Sequence, residues 1–176
     1  MNRLASILLC LLALTAHALG VGQPAPQLTA TTFDGQPFDL AHERGQVVIL
    51  NFWATWCEPC RAEMPALQAF YTQHQAEGLR LLAINLDDPG DAAKARALAS
   101  QFSFPAAFAQ DADYRGYGRI WRMPMTFVID RAGRLQRDGG EGTPTVDAAA
   151  LDRQVLPLLK LDAPKFDAQK ASAPGP

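Results

Sequence analysis

Val47-Val48-Ile49-Leu50-Asn51-Phe52-Trp53-Ala54-Thr55-Trp56-Cys57-Glu58-Pro59-Cys60 is the stretch on which the reading of this chain turns. Its first half is a nearly continuous apolar run, the pattern of a central strand covered on both faces. Its second half sets two cysteines at i and i+3. Behind them Met64, Leu67, Phe70 and Tyr71 keep helical spacing until Gly78 ends the run. A strand that turns into a helix at Cys-x-x-Cys places both sulfurs on one face of the helix amino terminus. Unpaired backbone N–H groups and the helix dipole there favour a thiolate, the form that attacks a disulfide. The pair therefore reads as a dithiol that can close to a disulfide and reopen.

Upstream, Phe33-Asp34-Gly35-Gln36-Pro37-Phe38 reads as a hairpin turn between two small strands. Downstream, Leu79 to Leu86 is a second buried strand, and Asp91 to Phe102 is predicted as a helix. Ala106 to Ala109 follows as a short strand and Asp113 to Ile120 as a short helix. Thr126 to Asp130, the turn Arg131-Ala132-Gly133-Arg134, and Leu135 to Arg137 read as strand, turn and strand. Val146 to Leu159 is predicted as a last helix despite Pro157, and Pro65 is expected to kink the first helix. Strands alternating with helices, then a hairpin and a closing helix, predict an α/β fold with a mixed central sheet, helices on both faces and an N-terminal hairpin extension. In such sheets reactive groups collect at strand carboxyl ends, where the cysteines sit.

Composition narrows the function class. A chain of 176 residues, 48% hydrophobic and 19% charged, is long enough for one proper core. A formal charge of −2 with acids and bases interspersed gives no footprint for nucleic acid. Arg3, the apolar Leu4 to Leu14 and Ala16-His17-Ala18 have the form of a signal peptide over residues 1–18 with cleavage after Ala18. An uncleaved membrane anchor is the alternative, weakened because a span wants about 20 apolar residues. Cleavage removes Cys10, whose surroundings also lack the small residues of a lipoprotein site. Residues 19–160 then form one domain with two cysteines, both in the one motif, so no structural disulfide framework is expected. Residues 161–176 read as a disordered Ala/Pro-rich tail.

Around the dithiol the residue types suggest roles. Pro59 falls in the first helical turn, where its missing N–H costs nothing. Glu63 lies one further step of three beyond Cys60 and is the nearest candidate to accept or return the Cys60 proton; the competing reading is a solvated carboxylate near a helix start. Glu58, between the sulfurs, places negative charge beside the forming thiolate, which favours the disulfide form and hence a reducing couple. A zinc half-site is disfavoured, because only His42 and His74 remain as further ligands and neither has finger spacing. The arginines 115, 119, 122, 131, 134 and 137 are expected to form a solvated face.

Asn51 to Pro65 resembles the active-site segment of the TlpA/ResA-type exported, thioredoxin-fold thiol-disulfide oxidoreductases. The likeness extends to Val21-Gly22-Gln23-Pro24-Ala25-Pro26 with Phe33-Asp34-Gly35, an opening shared with peroxiredoxins, and to Met123-Pro124-Met125-Thr126-Phe127-Val128-Ile129-Asp130 with Gly133. The resemblance implies a thioredoxin-like fold in which Pro124 is a cis-proline facing the dithiol. Met123 would then present its backbone to an extended partner segment and line the groove, with core filling as the alternative. Trp53 is expected to pack and Trp56 to wall the groove. Asn51 stands where thioredoxin carries a buried acid; being unable to titrate, it shifts proton handling to Glu63 or water and should be hydrogen-bonded. Arg122, where glycine is frequent, and Met125, where threonine is frequent, depart from the pattern.

The expectation is thus a periplasmic reductase of protein disulfides that needs no cofactor. The resemblance implies that its electrons come from a membrane thiol transporter and that its target is either an apocytochrome c or a copper-site assembly protein, between which the sequence does not choose. The rivals are a peroxiredoxin-type thiol peroxidase, a non-enzymatic copper chaperone and, within the same chemistry, a disulfide-generating oxidase.

Overall fold

The computed structural model describes residues 19–161. The expected signal peptide with its cleavage site, Cys10, and all of the expected tail but residue 161 lie outside the described residues. In chain order the elements are β1 (Thr29–Thr32), β2 (Pro37–Asp39), β3 (Val47–Trp53), α1 (Glu58–His74), β4 (Leu79–Asn85), α2 (Ala92–Ala99), β5 (Ala106–Asp113), β6 (Met125–Ile129), β7 (Leu135–Arg137), α3 (Ala148–Gln154) and α4 (Leu156–Lys160). Short 3-10 turns, Leu40–Glu43 and Arg115–Tyr117 among them, join these elements.

The strands form one mixed sheet in the order β2-β1-β5-β4-β3-β6-β7. Pairs β3·β4 and β4·β5 are parallel, and the other four are antiparallel. The crossovers β3-α1-β4 and β4-α2-β5 step across the sheet in the same direction, so right-handed connection lays both helices on the same face. Met64 and Leu67 of α1, Ala95 of α2, Leu151 of α3 and Leu159 of α4 pack in one cluster with Ile49, Leu81 and Val128. The opposite face buries Val48, Leu50, Phe52, Ile84 and Phe127 beneath Leu28, Leu40 and Tyr117. The mixed sheet with helices is as expected, but all four α-helices share one face, where the strand-helix alternation predicts helices on both, because both parallel crossovers step the same way; the other face is closed by 3-10 turns and loop. Central β3 is buried along its whole length, as its nearly continuous apolar run requires. Pro37 sits on the edge strand β2, where a missing N–H breaks no ladder.

Several boundaries differ from the sequence reading. Strand β5 runs on through Gln110-Asp111-Ala112-Asp113 because β1 pairs with it there, Ala30 opposite Ala112 and Thr29 opposite Asp113. The helix expected over 113–120 contracts to the 3-10 turn Arg115–Tyr117. Helix α2 ends at Ala99, and Phe102 and Phe104 turn inward as a stacked pair. The last helix breaks at Val155, since Pro157 cannot donate a backbone hydrogen bond. Pro65, by contrast, is accommodated within α1, which continues to His74.

The sheet has two distinct poles. At the foot of β3 and β4, Arg131 donates to the carbonyls of Gly45 (2.6 Å), Glu77 (2.8 Å) and Leu159 (3.0 Å), tying the end of α4 to the start of both strands. The first described segment reaches the same pole, with Gly22 N–H to Leu135 O at 2.7 Å and Ala25 N–H to Gly133 O at 2.9 Å. The dithiol sits at the other pole, beyond Trp53. No helix among the described residues is long and apolar enough to cross a membrane.

Candidate active site

Cys57 is the N-cap of α1, and Pro59 occupies its first turn as the sequence reading requires. The Cys57 sulfur accepts from the backbone N–H of Cys60 at 3.2 Å, one of the donors that a helix start leaves unpaired. Cys57 and Cys60 are joined as a disulfide with their Cα atoms 5.3 Å apart. They are not equivalent: Cys57 keeps 5% of its surface open and Cys60 none. Around Cys57 the residues Trp56, Glu58 and Pro59 are exposed, Trp56 by 64%. Trp53 is fully buried in packing, as expected.

The loop before the helix is held from the neighbouring strand end. The Asp87 carboxylate, just past β4, accepts from Thr55 N–H at 3.0 Å, from the Thr55 hydroxyl at 3.1 Å and from Asn85 Nδ2 at 2.8 Å. This anchor was not singled out from sequence. Its signal is an acid directly after the parallel strand beside the cysteine strand, a position that the register Trp53 opposite Asn85 makes adjacent.

Three residues beyond Cys60 on α1 lies a sealed polar group. Glu63 is 4% exposed, which removes the solvated-carboxylate reading. Its Oε1 accepts from Asn51 Nδ2 at 2.7 Å and its Oε2 from Val146 N–H at 2.8 Å. Asn51 Nδ2 also donates to the Thr126 hydroxyl at 3.0 Å, so the asparagine is hydrogen-bonded as expected, although its Oδ1 finds no donor among the described residues. Burial pushes the Glu63 carboxyl up from 4.5 to about 7, against the opposing pull of the Val146 and Asn51 donors and the Arg137 charge. A carboxyl in that range can both take and return a proton near neutral pH.

The peptide bond Met123–Pro124 is cis, as the resemblance implied. The register Phe52 opposite Met125 brings it to the carboxyl end of β3, the end that carries the dithiol. The Met123 side chain is half-buried and packs against the cluster that holds both cysteines. Two arginines expected in a solvated face instead clasp the loop after β7. Arg122 donates to the carbonyls of Gly139, Glu141 and Gly142, and Arg137 to those of Thr126 and Thr143. Gly139 is required at the crossing, because a Cβ there would stand 2.8 Å from the Thr126 backbone nitrogen. Arg131 is likewise structural, whereas Arg115, Arg119 and Arg134 are exposed.

A dithiol at a helix start, at the carboxyl end of the central strand of a mixed sheet and beside a cis-proline, defines a thioredoxin-fold thiol-disulfide oxidoreductase. The AhpC/TSA family model matches residues 21–137, and the chain belongs to that family. Its likeness lies with the oxidoreductase members. Thiol-disulfide oxidoreductase ResA of Geobacillus thermodenitrificans is 35% identical over 121 residues, 68% of this chain and 69% of that protein. Among solved structures, a thioredoxin-family thiol:disulfide interchange protein from Chlorobium tepidum superposes with a TM-score of 0.66 at 28% identity, covering 81% of this chain and 99% of the other. A secreted Mycobacterium tuberculosis disulfide oxidoreductase does so with a TM-score of 0.61 at 27% identity, covering 74% and 95%.

Proposed function

We propose that this protein reduces disulfides of partner proteins outside the cytoplasm, with Cys57 as the attacking sulfur, Cys60 as the resolving sulfur and Glu63 as the proton acceptor for Cys60. The Cys57 thiolate attacks one sulfur of the partner's disulfide, forming a mixed disulfide and expelling the partner's other sulfur as a thiolate. The Cys60 thiol passes its proton to the Glu63 carboxylate, and the resulting thiolate attacks Cys57. That closes the Cys57–Cys60 bond and releases the second partner thiolate, which takes up a proton. Two electrons have moved from the dithiol to the partner. Reopening the bond needs two electrons and two protons from a thiol donor, for which a membrane thiol transporter is the candidate.

The observation that carries the reading is the unequal burial of the two sulfurs, with a sealed carboxyl of near-neutral affinity one helical step beyond the inner one. Trp56, Glu58, Pro59, Met123 and Pro124 make the surface that a partner strand would meet. The leader at residues 1–18 supports export, and a structural relative is described as secreted. The targets that fit are an apocytochrome c awaiting haem or a copper-site assembly protein. Cys60→Ser in the native host tests this: the mixed disulfide on Cys57 should accumulate, and its mass should identify the target. Trapping of the same protein by Cys57→Ser would reverse the roles. Peroxide consumption by the purified dithiol would favour a peroxidase, and stoichiometric Cu(I) retention without disulfide turnover a copper carrier.

A further inference from the structure

We propose that Arg137 is the positioning residue for Glu63, one guanidinium that fixes both of the donors holding the carboxylate. The inference rests on Glu63 accepting the Cys60 proton. Glu63 forms no ion pair among the described residues; its direct partners are two neutral donors from distant parts of the chain. Each donor traces back to Arg137. On one side Arg137 Nη1 donates to the carbonyl of Thr126, the residue whose hydroxyl accepts from the same Asn51 amide group that holds Glu63 Oε1. On the other, Arg137 Nη2 donates to the Thr143 carbonyl at 2.6 Å, in the segment that delivers the Val146 N–H to Glu63 Oε2.

A planar fork can hold two carbonyls of different segments at once, which an ammonium does poorly. The guanidinium is half-buried and adds its charge to the geometry. The groups that act on Glu63 are Asn51 from β3, the Val146 backbone before α3 and Arg137 from β7, with Cys60 three residues before it on its own helix. Of these only Arg137 is a fixed cation, flanked in turn by Asp138 and Arg122. Losing the guanidinium removes a favourable charge and loosens two donors, and both changes favour the protonated carboxyl.

The test is the pH profile of resolution. A mixed disulfide of Cys57 with an aromatic thiol is preformed, and release of the thiol by Cys60 is followed by stopped flow. Alkylation of Cys57 in the Cys60→Ser background serves as the readout of the first sulfur. With the native residues the release rate should rise through a limb near pH 7. Arg137→Gln should move that limb alkaline by about half a pH unit or more and slow release at pH 7 about twofold or more, with Cys57 alkylation unchanged. Arg137→Lys should give a smaller shift in the same direction, and it carries the test if Arg137→Gln fails to fold. A limb in the folded variants that superposes on the native one, or an equal slowing of alkylation and release, overturns the proposal. Glu63→Gln should abolish the limb; a limb that survives it sinks the Glu63 assignment itself, whereas a limb lost in Glu63→Gln but unmoved in the Arg137 variants sinks Arg137 alone.

Discussion

At the rim of the site Trp56, Glu58 and Pro59 stand exposed around a Cys57 with 5% of its surface open, while the floor of Cys60, Glu63, Asn51 and Thr126 is sealed. Both regions draw on the same helix and the same residue types. Glu58 and Glu63 carry the same carboxyl group, yet one stands in solvent next to Cys57 and the other is buried, its proton affinity raised toward neutral pH. Burial, not sequence position on the helix, assigns the work. Substitutions at the rim should therefore act on attack and partner binding, and substitutions at the floor on pH dependence and stability.

The largest effect should fall on the two sulfurs. Cys57→Ser should lose the whole rate enhancement in dithiothreitol-driven reduction of a protein disulfide, while Cys60→Ser still makes the first attack and then stalls as a mixed disulfide. Equal residual turnover in both would erase the distinction between rim and floor. Next comes the proton linkage of Glu63. Its affinity is raised from 4.5 to about 7 on folding, so between those values the folded state holds more proton than the unfolded one, and stability falls as pH rises. Urea melts of the oxidised protein at pH 4.5 and 8 should reveal a loss on the order of 3 kcal/mol that Glu63→Gln lacks. A parent and variant that lose stability in parallel would place the carboxyl in water.

Asn51→Leu should cost about 1–3 kcal/mol, because Glu63 Oε1 and the Thr126 hydroxyl each lose a partner in a dry site. The same change should drive the Glu63 affinity higher, read as an alkaline shift of the resolution limb. At the rim, Trp56→Ala should alter stability by no more than about 0.5 kcal/mol while raising KM for a protein disulfide more than for a small aromatic one. A melt lowered as far as by Asn51→Leu would mean that the ring is packed rather than presented.

The central strand and the dithiol were legible because their signals are local. A run over Val47 to Trp53 that is apolar but for Asn51 admits little but a doubly covered strand, and two cysteines at i and i+3 in front of a helical pattern share a face wherever the helix lies. Glu63 was legible as a neighbour of Cys60 but not as a buried group. What seals it is the segment at Val146, 83 positions away, and helical periodicity says nothing of which loop will cross a given face. The same holds for Arg122, Arg131 and Arg137: side chains interspersed with acids look solvated until the carbonyls they bind are brought to them. Strand β5 outran its apolar core because β1 supplied a ladder for polar residues, a tertiary effect invisible in composition.

The Arg131 clasp and the pairing of Gly22 with Leu135 have a practical corollary. The end of α4 and the paired segment at Gly22 both lie at the base, at the pole of the sheet away from the sulfurs. A fusion partner or a solid support joined after residue 161 therefore attaches at that base and leaves the reactive edge pointing outward.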